Sequence, residues 1–356
     1  MRYTIGLARY LVSHEVSVEF LSTGSAHRDG SLVSTPLSEY PQGEIRFMRL
    51  LSAYVRRRKF PSDTVVVANT EWYSWAFYRA RRRIPVVLVA HGPSLPTLRA
   101  RKPIAASLFS ALIEPRGVQT ARSIIAIDKE SQEYFSTKYP GTELHRIPLG
   151  VDINHFKLGS RVHARARWDI KGRPALLFVG RLEPEKRPQL AASVFRAVQL
   201  ARPEASLIVA GTGSASKSFD DALAKLGHER VRLLGFVSWD DLPSLYCAVD
   251  ALLVTSEIEQ FPTVILESLA CGTQVFSTSV GDAATILENP VLGVICPDSV
   301  AGFAQAILNR IPENEAHAAR NEEIRRTAAE RYSWDRVGPE VLAILEAART
   351  GVTCDC

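Results

Sequence analysis

The sequence has no cysteine framework: its five cysteines, Cys247, Cys271, Cys296, Cys354 and Cys356, are odd in number and scattered in spacing. That excludes a disulfide scaffold and a zinc site built from regularly spaced thiols. The terminal Cys354-Asp355-Cys356 cannot complete a tetrahedral metal site by itself and reads as a frayed tail. Long apolar runs are missing too. No stretch reaches the roughly 18 residues of a spanning helix. The opening MRYTIGLARYLVSHEV has no long apolar core and no small-residue cleavage site, so a signal peptide is not expected and a cytoplasmic location is. Short internal repeats, low-complexity tracts and an Asp-x-Asp pair of the kind that holds a divalent cation are all absent.

What is present is an ordinary globular composition, 46% hydrophobic and 23% charged. At 356 residues the chain exceeds one common core and fits two domains, which makes a cleft between them the first place to expect a site. Charge is unevenly divided: residues 1–150 carry a net +9 and residues 151–356 a net −4, which together give the +5 of the whole chain. The basic excess gathers in Arg56-Arg57-Arg58-Lys59, in Arg79 with Arg81-Arg82-Arg83, and in Arg99 with Arg101-Lys102. One such cluster is often a solvated helix end. Three in one half suggest an anionic membrane or a phosphorylated partner. The clusters lack interleaved aromatics and any recognition motif, so nucleic acid is not the expected partner.

From Pro174 onward, short β-branched runs alternate with helical stretches of 10 to 15 residues, the mark of parallel βαβ units. PALLFVG, SLIVAG, VRLLGF, ALLVTS, GTQVFST and GVICP are predicted strands. Helices are predicted near 187–200, 219–226 and 241–248. In the first half, VSVEFLS, DTVVVAN (63–69), PVVLVAHG (85–92), SIIAID (123–128) and HRIPLG (145–150) repeat the rhythm less regularly. GVDINHF (150–156) reads as the hinge. The tail from Pro312 is helical by pattern, broken around Tyr332-Ser333-Trp334 and again at Gly338-Pro339, and its apolar VLAILEAA needs a surface to dock on. The expected division is therefore 1–152, 153–335 and a terminal helix 336–356 packing on the first domain.

SEIEQFPTVILESLAC places Glu259 in a loop after the strand ALLVTS and Glu267 within the following helix, with Pro262 expected at its first position and Gly272 just past its end. In an open parallel sheet such loops lie at the ligand-binding carboxyl edge, where a helix N-terminus offers free amides to an anion. Either carboxylate alone is explained by helix preference. Gly180-Arg181 at the end of PALLFVG, followed by Lys186, adds cations at the same edge, and two cations with a helix N-terminus can hold a diphosphate.

These segments resemble the family-4 retaining glycosyltransferases of the GT-B fold, which also include glycogen and sucrose synthases. The resemblance runs through His91-Gly92, IPLGVDINHF, FVGRLEPEKRP, IVAGTGS, the stretch from LLGFVSWDD to VFST, and YSWDRV. It implies an α/β architecture of two doubly wound Rossmann-like domains facing across a cleft. The activity implied is transfer of a hexosyl group from a nucleotide diphosphate sugar, with retained configuration and no cofactor or metal, to a glycan or lipid-linked acceptor. The enzyme would lie peripherally on a membrane through its basic first half. Residue roles follow only from the resemblance: Arg181 and Lys186 on the diphosphate, Glu259 on the donor sugar, Glu267 on the ribose, and the backbone around Phe261, Pro262, Thr263 and Val264 turning its free amides to sugar and phosphate. Gly180 would lie beside the phosphates, Phe236 and Val237 at the base, and His91 at the sugar or acceptor; by position alone, a strand-end His before Gly is also a common turn residue. The family opens with a first strand and glycine-rich loop, whereas this sequence opens in the helical YTIGLARYLV. A catalytically silent nucleotide-sugar-binding protein is accordingly the alternative. A sugar-nucleotide epimerase would need a second set of acid and base residues, which the sequence does not offer.

Overall fold

The computed structural model describes residues 2–22, 28–29, 32–37, 44–81, 83–92, 103–217, 219, 230–311 and 318–351. The chain divides into two compact units, one made of Met1–Gly150 with Trp334–Cys356 and the other of Val151–Ser333. No helix among the described residues is long and apolar enough to cross a membrane.

The first unit holds two sheets. Strands β1 (Phe20–Ser22), β2 (Arg28–Asp29) and β3 (Leu32–Pro36) form a small sheet in the order β1-β3-β2, parallel between β1 and β3 and antiparallel between β2 and β3. The strand expected over VSVEFLS is thus confined to its last three residues. Strands β4 (Val66–Ala68), β5 (Val86–Ala90), β6 (Ala121–Ala126) and β7 (Glu143–Arg146) make a four-stranded parallel sheet in sequence order. Central β5 is buried along its whole length, as expected of a strand covered on both faces. The strand expected over residues 145–150 begins two residues earlier and ends at Arg146. Ile147 donates a last ladder bond to the Ala126 carbonyl (3.0 Å), and Pro148, with no N–H, cannot continue.

The second unit is one six-stranded parallel sheet of β8 (Ala175–Val179), β9 (Ser206–Ala210), β10 (Val231–Gly235), β11 (Ala251–Val254), β12 (Gln274–Ser277) and β13 (Gly293–Ile295), in the order β10-β9-β8-β11-β12-β13. All six predicted strands are present. The first three wind one way and the last three the other, which is the dinucleotide-fold order and leaves a switch point between β8 and β11. Leu176, Leu207, Leu253, Phe276, Phe195 and Phe303 belong to one continuous core over this sheet. The helix expected near 187 spans Pro188–Ala201, with Pro188 in its first turn. Of the helix expected at 219–226, all but Phe219 lies outside the described residues.

The terminal helix Trp334–Thr350 runs unbroken through Gly338-Pro339, contrary to the expected break. Pro339 sits close enough to the helix start that a single backbone bond is forgone. Gly338 is required by packing: a Cβ there would lie 2.3 Å from the Tyr10 ring. The helix packs on Arg2–Ser13, and its first residue is clamped between two more glycines, where a Cβ on Gly6 or Gly150 would fall 2.5 Å from the Trp334 indole. Such contacts tolerate no added methyl group without moving a rigid, buried ring. Replacing Gly150 with Ala is expected to destabilise the protein by about 1–3 kcal/mol, read as a lowered denaturation midpoint; an unchanged midpoint would show that this clamp is loose.

Candidate functional site

The Asp250 carboxylate pins the amino ends of β8 and β11 together. Its Oδ2 accepts from the Ala175 amide (2.7 Å), its Oδ1 accepts from Arg161 (2.8 Å) and lies 3.2 Å from Arg173, and its own amide donates to the Ala175 carbonyl (2.8 Å). From there the strands pair through Ala251 with Leu176 and Leu252 with Leu177, and no further. Beyond that point they part, and a cavity opens between their carboxyl ends.

Phe178 and Val179 of β8 with Gly180 just beyond it, and Leu253 and Val254 of β11 with Thr255 and Ser256 just beyond it, line this cavity. Gly180 holds a φ of +156°, and a Cβ there would meet nothing within 4 Å, so glycine is demanded by the backbone turn and leaves the wall open. The remaining lining residues are Lys186, Glu259, Phe261, Pro262, Thr263 and Val264. They come from two loops. One is the short 3-10 turn Pro184–Lys186 after β8, the other the segment between β11 and the helix Thr263–Ala270, which adds its own first two residues. The Glu257 amide joins the loops by donating to the Glu185 carbonyl (2.8 Å).

Lys186 and Glu259 meet in this cavity as an ion pair between Nζ and Oε1, each side chain retaining 18% of its exposure. The same Oε1 accepts from the Ser256 hydroxyl at 3.1 Å. Beneath them the buried Thr255 hydroxyl reaches the carbonyls of Lys186 (2.9 Å) and Arg187 (3.1 Å) and fixes the backbone that presents the lysine. Arg187 itself is turned away, to Asp298. Thr255 and Ser256 were not among the expected site residues. Their signal was polar side chains closing an otherwise apolar strand at the sheet's carboxyl edge.

Pro262 is the N-cap of the Thr263–Ala270 helix and not its first residue, because its ψ of 91° is extended. Proline cannot cap with its side chain, so the first amides of this helix have no cap hydrogen bond from Pro262. At the other end, Gly272 takes a φ of +76° just past the helix. Glu267 is buried, its Oε2 accepting from the Tyr246 hydroxyl at 3.0 Å. It lies outside the cavity lining, as do Arg181, Phe236 and Val237. Arg181 is exposed and reaches Glu185 (3.3 Å), while Phe236, just beyond β10, is exposed. The cavity therefore unites Gly180, Lys186, Glu259 and Phe261 to Val264, and not the other expected donor residues. Among the described residues no cluster of three His, Cys, Asp or Glu side chains is placed to hold a metal ion.

His91 belongs to the first unit, where it follows β5. Its Nε2 lies 3.1 Å from the Asn69 Oδ1, and burial lowers its pKa to about 4, so the ring is neutral near pH 7. Gly92, at φ +94°, donates its amide to the Ser131 hydroxyl (3.0 Å). In the basic clusters, Arg58 pairs with Glu19 (2.6 Å) and lies over the Tyr54 and Phe60 rings, whereas Arg56, Arg57 and Lys59 are exposed. Arg99, Arg101 and Lys102 lie outside the described residues, as do Arg82, Cys354 and Cys356.

Two family models match the chain. The one described as Glycosyltransferase Family 4 matches residues 2–155, and the one described as Glycosyl transferases group 1 matches residues 161–329. A D-inositol 3-phosphate glycosyltransferase of Mycobacterium ulcerans is 31% identical over 307 residues, covering 80% of this chain and 64% of that protein. One from Salinispora tropica is 32% identical over 225 residues, covering 57% of this chain and 46% of its own length. The chain thus spans about half to two thirds of these relatives. Among solved structures, sucrose-phosphate synthase of Thermosynechococcus elongatus superposes with a TM-score of 0.80 at 18% identity, covering 98% of this chain and 93% of that one. HepE of Anabaena in complex with UDP and glucose gives 0.68 at 22% identity, covering 88% and 86%. Both support a GT-B fold built of Rossmann-like domains.

The partly buried state of His91 sets a pH dependence. Between about pH 6.5 and about pH 4 the unfolded chain binds a proton that the native ring does not. Stability therefore rises with pH through that window and is lost as pH falls towards 4, by up to about 3 kcal/mol. His91→Gln should flatten this part of the profile in denaturant titrations at stepped pH. An unchanged slope would assign it to other groups.

Proposed function

We infer the activity from one premise: the chain belongs to the family-4, group 1 glycosyltransferases. It transfers a hexosyl group from a nucleotide diphosphate sugar to an acceptor, and the donor occupies the cavity at the β8–β11 switch point. The observation that carries this is the Lys186–Glu259 pair at the mouth of a helix whose first amides have no side-chain cap. A diphosphate suits both elements, since it offers oxygens to the ammonium and to the amides together. Glu259, held by Ser256, is then the acceptor for donor-sugar hydroxyls. Glu267, one turn into the same helix, is assigned to the ribose hydroxyls by the family resemblance alone. Arg181, exposed beside Glu185, closes on the outer phosphate, and Phe236 with Val237 meets the base.

In the reaction, the bond from the anomeric carbon to the diphosphate oxygen breaks with its electron pair leaving on the phosphate. The acceptor oxygen attacks from the same face, and its proton passes to the departing phosphate oxygen, so the configuration is retained. Lys186, Arg181 and the helix amides stabilise the charge that develops on the leaving group, in place of a divalent cation. The neutral His91 ring can hydrogen-bond sugar or acceptor hydroxyls. The basic first half favours an anionic or lipid-linked glycan acceptor on a membrane surface, where Arg56, Arg57 and Lys59 would meet headgroups. UDP is the first nucleotide to test, because HepE, a neighbour in fold, is solved in complex with UDP and with UDP-glucose.

Calorimetric titration with UDP, GDP and ADP, with and without a chelator, tests the donor site. One nucleotide should bind, unaffected by the chelator, and Lys186→Ala should weaken it roughly tenfold or more. Absence of binding by the folded chain would sink the proposal. Binding without sugar transfer or hydrolysis of the matching nucleotide sugar would favour the silent binding protein instead. If transfer occurs, the anomeric configuration of the product decides retention.

A further inference from the structure

The helix Pro103–Leu108 and the π-helical turn Phe109–Ile113 that continues it contain no charged residue. Their inner face packs Ala106, Phe109 and Ile113 against Trp72 in a small core. Their outer face is apolar as well: Ile104 is 89% exposed, Leu108 55% and Leu112 42%. Spacing of four residues lines these side chains up in one row. A single exposed leucine needs no explanation, but an outward row on a segment already apolar inside calls for a cover.

The row ends in cations. Arg116, one turn beyond Leu112, donates to the Leu112 carbonyl (3.1 Å) and lies 5.9 Å over the Tyr78 ring, which is itself half exposed. Exposed Arg79 and Arg81 follow Tyr78. In the sequence, Arg99, Arg101 and Lys102 directly precede Pro103 and lie outside the described residues. The neighbouring carboxylates Glu71 and Glu114 are both buried, Glu114 bonded to Tyr134 and Lys138. The patch is therefore apolar along its length, aromatic and cationic at its margin, and free of carboxylates within residues 103–113.

We propose that the Ile104–Leu108–Leu112 row, with Tyr78 and Arg116 at its end, is the surface by which the first unit inserts into an anionic lipid bilayer. Apolar side chains enter the boundary between headgroups and acyl chains, the tyrosine sits at headgroup level, and the arginines meet lipid phosphates. A second copy of the chain fits less well, since a two-fold contact through this row would bring the flanking cations of both copies together. The inference rests on the lipid-linked acceptor reading above and adds the face that touches the membrane.

The test is cosedimentation of the full chain with vesicles of phosphatidylcholine alone or mixed with phosphatidylglycerol, for wild type, Leu108→Glu, Ile104→Glu and an Arg56→Ala/Arg57→Ala variant. Thermal unfolding and UDP titration serve as controls. Binding to the anionic vesicles only, reduced at least about tenfold by either glutamate, with unfolding and nucleotide binding unchanged, is the expected result. Undiminished binding by both glutamate variants, with loss in the arginine variant, would overturn this surface while leaving the membrane reading intact. No binding to either vesicle would overturn both. A concentration-dependent dimer in sedimentation velocity, abolished by Leu108→Glu, would assign the row to self-association and likewise reject the proposal.

Discussion

The candidate site depends on how far β8 and β11 stay together. Parallel strands with right-handed crossovers must leave a sheet on opposite faces where the winding direction reverses. Here that reversal falls between these two strands. Asp250 clamps their amino ends with one carboxylate bond and one amide bond to the Ala175 backbone and with two arginines, while the register ends at Leu177 and Leu252. Clamping one end and releasing the other produces a crevice with fixed walls, because the core beneath it, including Leu176 and Leu253, is fully packed.

Within that crevice the two charges hold one another in place. A lysine and a glutamate that each keep only a fifth of their exposure would lose much of their hydration if unpaired. Thr255 and Ser256 contribute by fixing the backbone under Lys186 and the carboxylate of Glu259. The pair is thus pre-positioned, and a phosphate-bearing ligand meets an ordered ammonium instead of a mobile one. Arg181, by contrast, is exposed and reaches the neighbouring turn through Glu185.

Glycine has a different task in the first unit. Gly6, Gly150 and Gly338 lie against Trp334 and Tyr10, where the helix Arg2–Ser13 meets the terminal helix. Close packing of rigid rings against bare backbone explains why a Gly-Pro pair, ordinarily a helix breaker, can stand inside a continuous helix. The tertiary contact specifies the glycine, and the helix accommodates the proline near its first turns.

The βαβ rhythm, all six strands of the second unit, the loop that carries Glu259 and the helix after it were legible in the sequence, because alternating strand and helix patterns reflect local burial and propensity. So were Gly180 and Lys186 as members of the carboxyl edge, since every strand of a parallel sheet ends on the same side. The tertiary structure decided what depends on contacts between distant residues. It pairs Lys186 with Glu259 across 73 positions of sequence and buries Glu267 against Tyr246. It also ends β7 before Pro148, carries the last helix through Pro339, and turns Ile104, Leu108 and Leu112 outward. Periodicity reports which residues can share a face, but only the packed chain determines which face is covered and by what.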